Sequence, residues 1–94
     1  DQFSFYIPNS FTPNDDGRND IFEVYGTNII SARMAIYSRW GEKVFESSTW
    51  PIKWNGKKMN SGVDLPQGIY VYAIEITDKF GNNHSYSGTI SIIK

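Results

Sequence analysis

The sequence predicts an all-β domain, specifically an immunoglobulin-like antiparallel β-sandwich of about seven strands. The first observation behind this prediction is a period of two near the end of the chain, where apolar and polar residues alternate over residues 86–92. The second is regular punctuation by turn residues, such as Asn55-Gly56 and Pro66-Gln67-Gly68. The third is that no stretch keeps helical periodicity over about ten residues.

Five short strands are predicted in the first part of the chain, at residues 3–7, 21–25, 32–37, 43–46 and 52–54. Two longer strands follow, at residues 69–77 and 86–92. Residues 78–83 between them include an aspartate, a glycine and two asparagines, which favour tight turns. The two longer strands are therefore expected to form a hairpin, with Gly88 at a point where another group approaches closely.

A chain of 94 residues corresponds to one domain, so residues 1–94 are interpreted as a single unit. A domain of this size buries only roughly two-thirds of the surface that its unfolded chain exposes, so its core must be densely packed. Six Phe, six Tyr and three Trp suit that requirement, because a buried aromatic side chain removes about 150–250 Å² from water. Most of these aromatic residues are expected to be structural.

Composition argues against several classes of partner and site. The formal net charge is −1 without a block of like charges, which argues against nucleic acid and anionic membrane surfaces. No apolar run approaches the ~20 residues that span a bilayer. The absence of Cys excludes disulfides and thiolate metal sites. Because the chain opens on Asp1-Gln2 without a Met or an apolar targeting run, we expect a module excised from a larger processed protein.

The sequence offers little for catalysis. The single histidine, His84, is predicted to be an exposed residue at the tip of the C-terminal hairpin. A Ser-His-Asp triad would depend on this one residue, and a Cys-His pair has no Cys. A pair of carboxylates for glycoside hydrolysis needs a cleft in which they stand about 5–9.5 Å apart, and a small sandwich has little depth for one. We therefore predict that the domain is not an enzyme.

The segment 7–22, IPNSFTPNDDGRNDIF, is the best candidate for a binding loop. Counting back from Gly17 against the helical calcium-loop template places Asp16, Asn14 and Thr12 at ligand positions. The match is partial, since Thr12 replaces the expected first Asp and the following residues 21–25 indicate a strand. If a hard cation binds here, the side chains expected to hold it are those of Asn14, Asp16 and Asp20.

The same segment has an interpretation that needs no ion, and we favour it. Asn and Asp side chains bond to nearby backbone amides, glycine supplies a positive φ, and Pro8 and Pro13 fix their own backbone angles. Such a segment forms a rigid turn. A calcium site remains the alternative.

A second candidate is Arg39-Trp40-Gly41, which joins two strand-like pieces. An exposed Trp beside an Arg is typical of interface hot spots. The more frequent arrangement is a Trp that covers the end of a small core, and this is the expectation for Trp40. A rival idea is a sugar-stacking platform made from the aromatic residues Trp50, Trp54, Tyr70 and Tyr72, although alternation with neighbouring residues favours a core position for the two tyrosines.

Four motifs follow one another along the chain: residues 8–22 (PNSFTPNDDGRNDIF), 36–46 (IYSRWGEKVFE), 54–56 (WNG) and 66–72 (PQGIYVY). In this order they strongly resemble the gliding motility-associated C-terminal domain, also called the type B sorting domain of the type IX secretion system. The resemblance covers nearly the whole chain. Two positions depart from the family pattern, because Asp15 stands where Gly is common and Asn55 where Asp is common.

The resemblance implies a C-terminal sorting domain that directs a large, adhesin-like cell-surface protein across the outer membrane. The carrier protein would pass through the periplasm to the cell surface or the medium. The implied partners are the type IX translocon and an outer-membrane partner protein. No cofactor is required, and calcium is the alternative named above. The candidate recognition surface comprises Pro13, Asn14, Asp16, Gly17, Asn19, Asp20, Arg39, Trp40 and Gly41. The alternative function is a ligand-binding adhesin module that holds carbohydrate or calcium at the cell surface.

Overall fold

The computed structural model describes residues 3–13, 20–60 and 63–94. Within these ranges the secondary structure is strand, apart from one short 3₁₀ turn at Lys58–Asn60. The strands are β1 (Ser4–Tyr6), β2 (Ser10–Phe11), β3 (Phe22–Glu23), β4 (Tyr25–Thr27), β5 (Ile29–Tyr37), β6 (Lys43–Ser47), β7 (Lys53–Trp54), β8 (Gly68–Asp78) and β9 (Asn83–Ile92). The predicted all-β sandwich class is confirmed. The strands outnumber the predicted ones because β2 lies in the segment expected to be a turn, and because β3 and β4 replace the single strand predicted at residues 21–25.

The main layer is a five-stranded sheet in the order β2-β9-β8-β5-β6. The predicted C-terminal hairpin is confirmed, since β8 and β9 pair antiparallel from Gly68 opposite Ile92 to Thr77 opposite Asn83. One ladder departs from the antiparallel expectation, because β2 runs parallel to the end of β9. Thus an early segment of the chain is fastened beside its last strand.

The second layer consists of two small sheets, β1 with β4 and β3 with β7. Phe22 and Trp54 of the second pair are fully buried, and Phe5 of the first pair packs on Tyr86 of β9, whereas Tyr6 and Tyr25 are exposed. Trp54 from β7 is fully buried at the centre, and its ring lies 5.4–6.4 Å from four other aromatic rings, those of Phe11, Phe22, Phe45 and Tyr70. Its indole Nε1 donates a hydrogen bond of 2.9 Å to the Lys57 carbonyl, so burial leaves no polar atom unpaired.

The period-two pattern correctly divides the long strands between two faces. On β8, Tyr70, Ile74 and Ile76 are buried, whereas the intervening residues Val71, Ala73 and Glu75 are exposed. The predicted close approach at Gly88 is also confirmed, because a Cβ atom there would lie 2.9 Å from the Tyr72 hydroxyl. Burial of Trp54 and Tyr70 removes two members of the predicted sugar-stacking platform.

Candidate recognition surface

The turn between β5 and β6 is a tightly bonded structure built around Ser38. The Ser38 amide donates to the Glu42 carbonyl at 2.8 Å, and the Gly41 amide donates to the Ser38 carbonyl at 2.9 Å. The Ser38 hydroxyl also accepts bonds from the Trp40 and Glu42 amides, both at 3.2 Å. Gly41 has φ +92°, which favours glycine, and the turn therefore holds a fixed shape.

Trp40 lies at the tip of this turn with 83% of its surface exposed. The guanidinium carbon of Arg39 lies 5.0 Å from the centre of its ring, a cation–π arrangement. The expectation that Trp40 covers the end of the core is wrong, because the short turn ends beyond the core residues of the sheet. The Arg39-Trp40-Gly41 motif therefore presents an aromatic side chain to solvent.

Beside Trp40 lies a surface groove of about 260 Å³ that joins two of the sequence motifs. We call it the turn groove, and its lining residues are Ser38, Arg39, Trp40, Glu42, Val44 and the segment 65–70. The Tyr70 hydroxyl donates to the Pro66 carbonyl at 2.7 Å, which holds the far wall in place. Ile69 is exposed on that wall, and Lys58 pairs with Glu42 at 2.8 Å on the near side. The groove is thus apolar inside with charges at its rim.

The other predicted candidates lie around the segment 8–20. Pro13 packs against the loop after β7, since a Cβ atom at Gly56 would come within 2.9 Å of the Pro13 ring. Asp20 lines a separate cavity together with Asn55 and Asp64. The remaining predicted members Asn14, Asp16, Gly17 and Asn19 lie outside the described residues. The cavity at Asp20 shares no lining residue with the turn groove.

The calcium alternative likewise depends on residues that the structure does not describe. Asp20 is the member of the proposed ligand set that lies within the described ranges. Over those ranges, no group of three or more His, Asp or Glu side chains is placed to hold a metal ion. Calcium binding at the segment 8–20 stays a prediction.

A polar cluster that sequence reasoning missed lies at the start of β9. His84 was expected to be an exposed turn residue, but it is half-buried, and its Nε2 lies 2.9 Å from Oδ2 of Asp78. The Phe3 ring stacks on the imidazole at 4.2 Å. The signal was present in the spacing, because a hairpin that turns over residues 79–82 places residues 78 and 84 diagonally across the two strands on the same face.

Asp78 is nearly fully buried, and its oxygens are well bonded. Oδ1 accepts from the Phe80 amide at 2.9 Å and the Asn82 amide at 3.0 Å, while Oδ2 faces His84. The bond to His84, helped by the two backbone amides, holds the pKa of the Asp78 carboxyl below its ordinary value. The cluster thus joins the hairpin turn to Phe3, the residue immediately before β1.

Comparison with known proteins gives this chain a family. The family model of the CHU_C type IX secretion signal domain matches residues 5–92, which is nearly the whole chain. No curated protein matches it in sequence. No helix among the described residues is long and apolar enough to cross a membrane. Because the family model spans both layers of the sandwich and every motif quoted above, the chain belongs to the type IX secretion signal domains.

Proposed function

We propose that this domain is the sorting signal of a large, adhesin-like surface protein and that the secretion machinery recognises it through the turn groove and Trp40. Family membership gives the domain its role in type IX secretion, with export to the cell surface or the medium as the outcome. The observation that carries the more specific proposal is the solvent-exposed Trp40 on a rigid turn.

A partner that binds a surface already held by hydrogen bonds pays little conformational entropy at that surface. Trp and Arg are the residue types most enriched at the energetic centres of interfaces, and here Arg39 lies against the Trp40 ring. The adjoining groove adds the apolar side chain of Ile69. Together they offer a partner one aromatic anchor and one pocket.

In this proposal the partners are the translocon and an outer-membrane partner protein, and the domain acts by binding rather than by catalysis. The cargo crosses the periplasm with the domain folded, so that the turn groove is complete when the partner meets it. The segment 8–20 contributes either directly, through Pro13 and Asp20, or by fixing the fold around Gly56.

The first test is export of a fusion. Residues 1–94 are placed behind a signal peptide and a fluorescent carrier and expressed in a bacterium that has the type IX machinery. We expect the carrier at the surface or in the medium, and loss of this signal when the machinery is deleted. A stable fusion that stays in the periplasm of the intact strain would contradict the proposal that this domain suffices as a signal.

Calcium is tested separately, by thermal unfolding of the isolated domain after chelation and after addition of Ca²⁺ or Mg²⁺. The favoured turn without an ion predicts the same melting temperature in all conditions. A rise specific to Ca²⁺ that disappears in Asp16→Asn would establish the alternative instead, because removing one carboxylate ligand weakens a site built from oxygens.

A further inference from the structure

The two edges of the five-stranded sheet are protected very differently. At one edge, β6 carries the charged residues Lys43 and Glu46, its ladder with β5 is irregular between Ile36 and Tyr37, and the 3₁₀ turn packs against it. Charges, bulges and covering segments are the usual devices that prevent an edge from pairing with another chain. At the other edge, β2 covers only Ser91 and Ile92 of β9.

The direction of the backbone groups along β9 follows from two hydrogen bonds. The Ser91 amide donates to the Asn9 carbonyl at 2.9 Å, and the Ile93 amide donates to the Phe11 carbonyl at 3.0 Å. Peptide groups alternate in direction along a strand, so Ser85, Ser87 and Thr89 direct their N–H and C=O groups to the same side. Over the described residues, no backbone group bonds to them there. We call residues 85–89 the open edge.

The open edge lacks the devices that protect the β6 edge. Residues 83–92 contain no Lys, Arg, Asp, Glu or Pro. The ladder between β8 and β9 continues without a register shift from Gly68 to Thr77. An exposed, regular and uncharged edge is a template for an added strand.

The surroundings of the open edge define what fits there. The outer face offers the hydroxyl groups of Ser85, Ser87 and Thr89, whereas the inner face offers the partly exposed Tyr86 ring packed 4.4 Å from Phe5. One end is closed where Asn9 bonds to Ser91. A second copy paired through its own β9 would bring its hairpin turn against this closed end. A short extended segment avoids that collision.

We propose that the open edge binds a short, uncharged, extended segment of the secretion machinery by β-strand addition, with small polar side chains on its outer face and apolar ones toward Phe5 and Tyr86. The identity of the partner rests on the proposed export function. The strand-binding property itself rests only on the geometry of β9. This surface lies on the opposite edge of the sheet from the β5–β6 turn.

Hydrogen exchange in the isolated domain gives the first measurement. The amides of Ser85, Ser87 and Thr89 are expected to exchange fast, whereas those of Tyr86 and Gly88, which face β8, exchange slowly. The probe is then an acetylated and amidated peptide of about six alternating Thr and Val residues, long enough to span the open edge. We expect it to slow exchange at the three outward amides. Slow exchange there without peptide, or no protection at millimolar peptide, overturns the proposal.

Proline substitution supplies a matched pair of variants. Ser87→Pro removes an outward N–H at the open edge and is expected to weaken peptide binding about tenfold or more. Glu46 occupies an outward-facing position on β6, so Glu46→Pro places the same ring on the other edge and is expected to leave binding unchanged. A peptide with Lys in place of Val is expected to bind less tightly. Equal binding to both proline variants overturns the proposal.

The same variants in the export fusion separate the two proposals. If wild type is exported and Ser87→Pro is retained while Glu46→Pro passes, both proposals hold. If wild type and Ser87→Pro are exported equally, the strand-addition proposal fails and the sorting function stands. If peptide binds the open edge but the wild-type fusion is never exported, the sorting function fails and the open edge binds a partner unrelated to export.

Discussion

Trp40 and Trp54 have opposite surroundings, and the contrast indicates what each contributes. Trp54 touches four aromatic rings and bonds to a backbone carbonyl, so its replacement affects the fold. Trp40 touches mainly Arg39 and solvent, so its replacement leaves the fold nearly unchanged. An aromatic side chain held rigidly in water gains little for stability, which favours a role in binding.

Trp40→Ala is expected to abolish or strongly reduce export while changing the free energy of unfolding by no more than about 0.5 kcal/mol. The matched control is Phe80→Ala, because Phe80 is also exposed in a tight turn with a cation over its ring, here Lys79 at 5.7 Å. Export of the fusion and chemical denaturation of the isolated domain are the measurements. Normal export of Trp40→Ala would remove the turn groove as the recognition surface.

Trp54→Ala is expected to lower the free energy of unfolding by about 3–5 kcal/mol, because it leaves a cavity among the core rings. Most small domains have only about 5–15 kcal/mol of stability, so the variant should be close to unfolding. Denaturant titration followed by tyrosine and tryptophan fluorescence measures the loss. A change as small as that of a surface substitution would show that the core repacks around the missing indole.

Acid unfolding should show how much the bond between Asp78 and His84 contributes to the stability of the fold. A carboxyl whose pKa is depressed in the folded state adds stability above its unfolded pKa of about 3.9, and this stability disappears as pH falls through the folded pKa. The wild type should therefore lose stability more steeply below about pH 4 than Asp78→Asn. Asp64→Asn, at an exposed position, is the control. Parallel acid profiles for wild type and Asp78→Asn would contradict this assignment.

At the residue scale, sequence patterns predicted core positions better than surface ones. Alternation assigned Tyr70, Ile74 and Ile76 to the buried face because strand geometry fixes every second side chain. No comparable rule governs a turn residue, so the exposure of Trp40 depended on where the turn ends relative to the core. The position of His84 was missed because residues 78–83 were predicted as the turn, which placed His84 at the hairpin tip, whereas β9 begins at Asn83.

At the element scale, the Asn55-Gly56 turn after β7 packs against Pro13, which lies much earlier in the chain. Gly56 has φ +80° and lies against Pro13, whereas Gly81 has φ +89° with open space around it. Gly56→Ala should therefore cost more stability than Gly81→Ala, which carries only the backbone penalty of about 1–2 kcal/mol. Thermal unfolding of both variants gives the difference. Equal losses would show that the contact with Pro13 contributes nothing.

Among the elements, the β8–β9 hairpin was predicted apart from the first residues of β9, whereas the parallel pairing of β2 with β9 was not predicted. A hairpin is encoded by two alternating runs and the turn between them. The β2 strand has only two residues, and its partner lies about eighty residues away in the chain, so no local pattern reveals the pairing. The turn groove was not predicted either, because its two walls come from separate parts of the chain and no local pattern brings them together. Both motifs that form it, residues 36–46 and 66–72, were identified.

At the scale of the whole molecule, the last strand is essential because β9 lies between β8 and β2 in the main sheet. A chain that ends at Asn82 lacks β9, so the inner face loses Ile90 and Ile92, and β2 has no partner. We expect such a chain to be unfolded by circular dichroism, whereas one that ends at Ile92 should keep the fold. A folded truncated chain would show that β5, β6 and β8 suffice.

The interior position of β9 also bears on the timing of protein synthesis. Because β9 is the last strand of the domain to be synthesised, the main sheet cannot be complete until residue 92 has been added. A product interrupted earlier, by a damaged message or a stalled ribosome, would lack the folded domain that the proposed function requires for export. In the proposed function, the secretion machinery would therefore export only chains in which this last strand is complete.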